Sequence, residues 1–128
     1  MATRSTIGMI QEDGQTIRSV YCHWDGYPDG VGATLAEHYT DISKIEKLLD
    51  RGDISALRET IGHKHPFEDS GSDMTTFYGR DRNETGVDAL VHADEREWLG
   101  FRRGSWCEYG YLWDGKRWNT YKIEAVYA

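Results

Sequence analysis

Cysteine and proline are scarce in this chain, with two of each in 128 residues. Cys22 and Cys107 are too few for a disulfide framework, so any fold must rest on buried apolar area. The sequence also lacks an apolar run long enough to cross a bilayer, and an N-terminal stretch of signal-peptide type. A cytoplasmic setting with reduced thiols and no membrane partner is therefore expected. Basic residues are outnumbered, 15 Lys and Arg against 22 Asp and Glu, for a net charge of −7. Direct nucleic-acid binding requires a basic footprint and is not expected. The acidic residues are interspersed with basic ones rather than gathered in a run, so mimicry of nucleic acid is not favoured either. The segment Gly26-Tyr27-Pro28-Asp29-Gly30-Val31-Gly32 carries glycines but not the Lys-Ser/Thr ending of a phosphate loop. No cofactor is implied.

Aromatic rings, by contrast, are plentiful: 12% of residues, including 5 Trp and 8 Tyr. Large amphipathic rings fill cores and dominate binding surfaces, so this excess suits either use. The length suits a single domain spanning residues 1–128 with a sizeable core.

Alternation marks Arg4 to Ile10 and Thr16 to Trp24 as a β-hairpin turning at Asp13-Gly14, read as a type I′ turn. That register puts Ile7, Met9, Val20, Cys22 and Trp24 on one face, and Tyr21 and His23 on the other. Val31, Thr34, Leu35 and His38 recur at helical spacing up to Tyr39. Asp41 reads as the N-cap of a second helix with Ile42, Ile45, Leu48 and Leu49 inward and Gly52 as its stop. Asp53 would cap a further turn through Ile54, Leu57 and Ile61. Gly62 to Thr75 reads as a loop, Thr75 to Arg80 has β propensity, and Asn83 to Gly86 is a turn. A strand is expected near Ala89 to His92, followed by a short helix through Glu95 to Leu99. Trp106 to Trp113, Asp114-Gly115 and Lys116 to Ala125 form a second hairpin, in which a two-residue turn sets Tyr111 opposite Trp118 and Tyr109 opposite Thr120. The fold class implied is α+β: an antiparallel sheet built from the N- and C-terminal hairpins, with two or three short helices packed on one face.

The most constrained stretch is Tyr21-Cys22-His23-Trp24-Asp25-Gly26-Tyr27-Pro28-Asp29-Gly30, where a strand ends in a shaped loop and feeds a helix. Gly26 and Gly30 permit positive φ and Pro28 restricts it. Such junctions display side chains where ligands or partners are met. Tyr21, His23, Trp24, Asp25 and Tyr27, with His38 from the following helix, are the candidate binding residues.

This loop carries a resemblance. Thr3-Arg4-Ser5-Thr6-Ile7-Gly8, Val20 to Pro28, Val31-Gly32 and Glu37-His38-Tyr39 resemble a set of small, functionally unassigned proteins encoded by bacteriophages and prophages. The likeness covers the first third to half of the chain. It implies an accessory phage context and no particular reaction.

Other constellations have plainer readings. His23, Asp25 and His38 could converge as a zinc or iron set, but their spacing matches no established motif, and histidines that hydrogen-bond the loop are the preferred reading. His63 and His65 sit in a polar loop whose solvated state is preferred over metal binding. Cys22 falls on the core face, which disfavours a thiol nucleophile. Arg80 and Arg82, near Tyr78, and Trp113 and Trp118, near Lys116 and Arg117, form a possible second surface suited to stacking bases. No catalytic or metal-binding residue is assigned. The expectation is a non-catalytic, phage-type accessory protein that binds and modulates a host or anti-phage defence protein. A nucleotide-signal binder and a small metal-dependent hydrolase or nuclease are the alternatives.

Overall fold

The computed structural model describes residues 2–68 and 73–123, so residues 124 and 125 of the second hairpin lie outside the described residues. Among the described residues seven strands form one sheet: β1 (Ser5–Ile10), β2 (Ile17–Cys22), β3 (Ile54–Ala56), β4 (Thr76–Phe77), β5 (Leu90–His92), β6 (Tyr109–Trp113) and β7 (Trp118–Lys122). The order is β4-β3-β2-β1-β6-β7, with β5 also paired to β2. One π-helical turn, Pro28–Gly32, opens into α1 (Ala33–His38); α2 (Ile42–Asp50), α3 (Tyr78–Arg82) and α4 (Glu95–Gly104) follow. The α+β class expected from the sequence is observed, and both hairpins belong to the same sheet.

The first hairpin keeps its expected register, with Ser5 facing Cys22 and Ile10 facing Ile17. Its turn is different in kind. Only Gly14 takes a positive φ, at +76°. The Asp13 carboxylate accepts hydrogen bonds from the Gln15 and Thr16 amides at 2.9 and 2.8 Å, which replaces the second left-handed residue of a type I′ turn. In the second hairpin Asp114 accepts from the Lys116 and Arg117 amides in the same way, and the loop is longer. Its register therefore moves by two: Trp113 faces Trp118, and Tyr111 faces Thr120 rather than Trp118. A shift of two keeps every side chain on its expected face.

Two features depart from a wholly antiparallel sheet with helices on one face. β1 runs parallel to β6, and β2 parallel to β3. Helices also cover both faces. Val31, Leu35, Ile45, Leu48 and Leu49 pack with Ile7, Val20, Cys22 and Tyr111 on one side. On the other, Trp98 of α4 packs with Ile17 and Leu112. Glycine in two neighbouring strands makes room for that indole: a Cβ at Gly8 would lie 3.4 Å from the ring, and one at Gly110 would lie 3.1 Å from it. The Trp98 Nε1–H donates to Thr6 Oγ1 at 3.1 Å. The buried strands are thus apolar or small on both faces, as sheets covered on two sides are.

Local corrections follow from packing. Asp41 caps α2 by accepting from the Ser43 amide, as expected, but Ile42 is 52% exposed rather than inward. Ile54 to Ala56 is a strand rather than the turn of helix expected after Asp53, whose carboxylate instead accepts from the Tyr21 amide at 2.9 Å. Thr75 to Arg80 divides into β4 and the start of α3.

Both cysteines are free and buried, and burial pushes each thiol up to about 12. Native protein should therefore react slowly with a thiol reagent, and denatured protein fast at both positions. Rapid native labelling at Cys22 would refute the strand register.

Beneath α4, Ser19 Oγ sits 2.8 Å from His92 Nε2 and accepts from Arg102 Nε and Nη2 at 3.2 and 2.9 Å. Burial, reinforced by Arg102, holds His92 below the ordinary histidine value of 6.5. Burial and Arg4 shift His23 in the same direction. Below that ordinary value the unfolded chain binds protons that the folded chain refuses. Stability is therefore fully present above pH 6.5 and is lost as pH falls towards the folded values. The melting temperature should decline between roughly pH 6.5 and 5, and His92→Gln should flatten that decline. A wild-type curve level across this window would contradict the buried neutral ring.

Candidate functional site

The Tyr21–Gly30 loop is held from below by backbone hydrogen bonds. Gly26 N–H donates to Thr3 O at 2.8 Å, and Val31 N–H donates to Asp25 O at 2.8 Å. Tyr111, fully buried, donates its hydroxyl to Gly26 O at 2.7 Å. Gly26 and Gly30 do not occupy the left-handed region; Asp25 does, at φ +55°. The glycines are required by close approach instead. A Cβ at Gly26 would lie 2.7 Å from both Ser5 Cβ and Thr3 O, and one at Gly30 would overlap Asp25 O.

Trp24 departs from its expected core position and is 45% exposed. The cause is backbone: the consecutive amides of His23 and Trp24 both donate towards β3, to Ile54 O and Ser55 O at 3.0 Å each. Two successive N–H groups on one side break the alternation of a strand, so the side-chain order beyond Cys22 no longer follows the pleat. Tyr21 and His23 do share a face, and the Tyr21 hydroxyl meets His23 Nδ1 at 2.8 Å. Burial pushes that phenol up to about 12, so the hydroxyl keeps its proton, and the imidazole tautomer sets which group donates. The imidazole in turn stands perpendicular to the Trp24 indole, with centroids 4.7 Å apart. Tyr21 and His23 therefore position Trp24. Tyr27 is 42% exposed, with its hydroxyl 3.4 Å from Asp25 Oδ1.

His38 is not part of this group. Its Nε2 lies 3.5 Å from Glu37 and 4.0 Å from Glu59. Among the described residues no three His, Cys, Asp or Glu side chains are placed to hold a metal ion. His63 and His65 also diverge. His63 is exposed, whereas His65 is buried with its Nε2 3.1 Å from Thr75 O.

The possible second surface is divided by the fold. Arg80 is committed to Asp81, Ile61 O and Thr75 O. Trp113 is buried, and Trp118 donates its indole N–H to Tyr39 O at 2.8 Å. These indoles sit on β6 and β7, across the sheet from β4 and the α3 arginines. Arg82 pairs with Glu84 and lies over the rings of Phe67 and Tyr78, at 4.3 and 5.1 Å.

Phe67 leads back to the loop. A cleft of about 430 Å³ opens between them, lined by Trp24, Asp25, Ser55, Ala56, Arg58, Phe67, Glu68 and Thr76. The lining residues include two rings, two carboxylates, a guanidinium and two hydroxyls. Six of these lining residues escaped the sequence reading. Phe67 alone carried a signal, as the single phenyl ring in a mostly polar loop. Arg58 was hidden within a turn read as helix. Among the described residues no helix is long and apolar enough to cross a membrane. No protein-family model, curated protein or solved structure matches this chain.

Proposed function

We propose that this chain is a non-catalytic binding protein that docks a partner protein on the Tyr21–Gly30 loop and the adjoining cleft. The observation that carries this reading is Trp24 and Tyr27, large rings left exposed on a backbone pinned by Thr3, Val31 and Tyr111. A prepaid loop conformation lowers the ordering cost of binding, and rings of this kind act as anchors. The phage resemblance supports a host or anti-phage defence component as the partner, met in the cytoplasm. Asp25 and Glu68 set two negative charges against the single positive charge of Arg58, which weighs against a nucleotide ligand.

The test compares wild-type protein with Trp24→Ala, Tyr27→Ala and Asp25→Asn in capture from bacterial lysate, with melting temperatures measured alongside. Loss of one central anchor should cost about 2 kcal/mol or more, roughly thirtyfold in affinity, with the melting temperature nearly kept. Variants that melt early yet capture the same proteins whenever folded would make the loop a scaffold.

A further inference from the structure

Charge and ring chemistry in the cleft narrow the group that enters it; this step rests on the protein-docking reading above. Five cation–ring pairs among the described residues use tyrosine or phenylalanine: Tyr39, Phe77, Phe67, Tyr78 and Phe101. Phe67 already carries Arg82 at 4.3 Å and stacks near Tyr78 at 5.7 Å. No cation lies over Trp24 among the described residues, although indole is the strongest cation acceptor of the aromatic side chains. Its ring is exposed and its orientation is fixed by His23. Asp25 lies beside it and Glu68 shares the same cleft. The one cation of the lining, Arg58, donates Nη1 to Leu57 O at 3.1 Å. The two carboxylates outnumber that cation by one, within a chain of net charge −7.

We infer that the cleft takes an arginine side chain of the partner, its guanidinium stacked on Trp24 and paired with Asp25 and Glu68. A flat guanidinium satisfies both demands at once: its face suits a ring and its edge presents donors to carboxylates. An ammonium offers the charge but not the plane. A phosphate meets repulsion from both carboxylates.

The probe is N-acetyl-arginine amide, titrated into the full chain and followed by nuclear magnetic resonance at the Trp24 indole and the backbone amides. Controls are N-acetyl-citrulline amide, nearly the same shape without charge, and N-acetyl-lysine amide. The expected result is saturable shifts at Trp24, Asp25, Ser55 and Thr76, with a Kd on the order of millimolar. Citrulline and lysine amides should bind at least about fivefold more weakly. Trp24→Ala should abolish the shifts, and Asp25→Asn combined with Glu68→Gln should weaken them about tenfold with the fold intact. Equal binding of citrulline or lysine amide, shifts that persist in Trp24→Ala, or no saturation by roughly 50 mM would overturn the assignment. Partner capture that depends on Trp24 and Tyr27 without arginine selectivity would sink this inference and leave protein docking standing. Arginine-amide binding as expected, with no captured protein that needs Trp24, would do the reverse.

Discussion

Asp81→Ala should cost about 3–5 kcal/mol, as much as truncating a buried core ring. The Asp81 side chain is completely buried, yet every donor around it is accounted for. It accepts from the Phe77 amide at 2.8 Å, the His65 amide at 3.1 Å and Arg80 Nε at 3.0 Å. One carboxylate thus joins the end of β4, the first turn of α3 and the loop that leads to Phe67. Removing it leaves two buried amides without acceptors and the Arg80 cation without its counter-charge. The melting temperature should fall by roughly 10–20 °C. Burial alone would raise the Asp81 carboxyl, but Arg80 and the two amides outweigh it and hold it below the usual 3.8. The charge-dependent part of its contribution is accordingly present above pH 3.8 and is lost as pH falls through the lower folded value, so the gap between wild-type and variant stabilities should narrow in acid. A loss under about 1 kcal/mol at neutral pH would show that the knot is dispensable.

Local chemistry was legible where one signal dominated. Alternation in β1 and β2 set the first register, and the capping aspartate placed α2. What stayed hidden was long-range. Nothing near Ser5 reports that Tyr109 will lie beside it in parallel, because that pairing is fixed by what covers the two faces. The Gly8 and Gly110 positions hinted at a large ring above them, a hint that becomes readable only once β1 and β6 are neighbours. Ile54, Leu57 and Ile61 carried helical spacing, yet a short apolar run does not separate helix from strand, and pairing with β2 and β4 decided it.

The candidate site divides the same way. Composition alone pointed to the Tyr21–Gly30 loop, and Trp24 and Asp25 do line the cleft. Trp24 was misplaced because alternation was carried one step past Cys22, where the His23 and Trp24 amides turn together towards β3. The opposite wall, Phe67, Glu68 and Thr76, comes from far along the chain and reaches the loop through β3–β4 pairing. Arg80 and Arg82 looked like free cations beside rings. In the fold, Arg80 serves Asp81, and Arg82 lies over the Phe67 ring.

Gly30→Ala should reduce stability and binding together, in contrast to the surface variants of the same loop. Its Cβ would overlap Asp25 O, the acceptor that holds the Val31 amide at 2.8 Å, while Gly30 N–H itself bonds Tyr27 O at 2.9 Å. Backbone cannot yield as a side-chain tip can. Overpacking of this kind costs about 1–3 kcal/mol, and loss of the Asp25–Val31 bond adds about 1 kcal/mol. Asp25 would also be driven from its left-handed φ of +55°, carrying its carboxylate and the neighbouring Trp24 out of the cleft wall. Partner affinity should therefore fall at least about thirtyfold even at temperatures where the protein stays folded. Gly14→Ala supplies the control. Its φ of +76° makes an alanine cost about 1 kcal/mol, but nothing lies within 4 Å of the added carbon and the turn is remote from the cleft. Thermal melts and capture assays on the two variants separate the cases. If Gly30→Ala melts and binds like the wild type, the Asp25 carbonyl does not close the loop. The exposed rings would then owe their placement to β3, through the amides of His23 and Trp24, and to the Thr3 and Tyr111 bonds at Gly26.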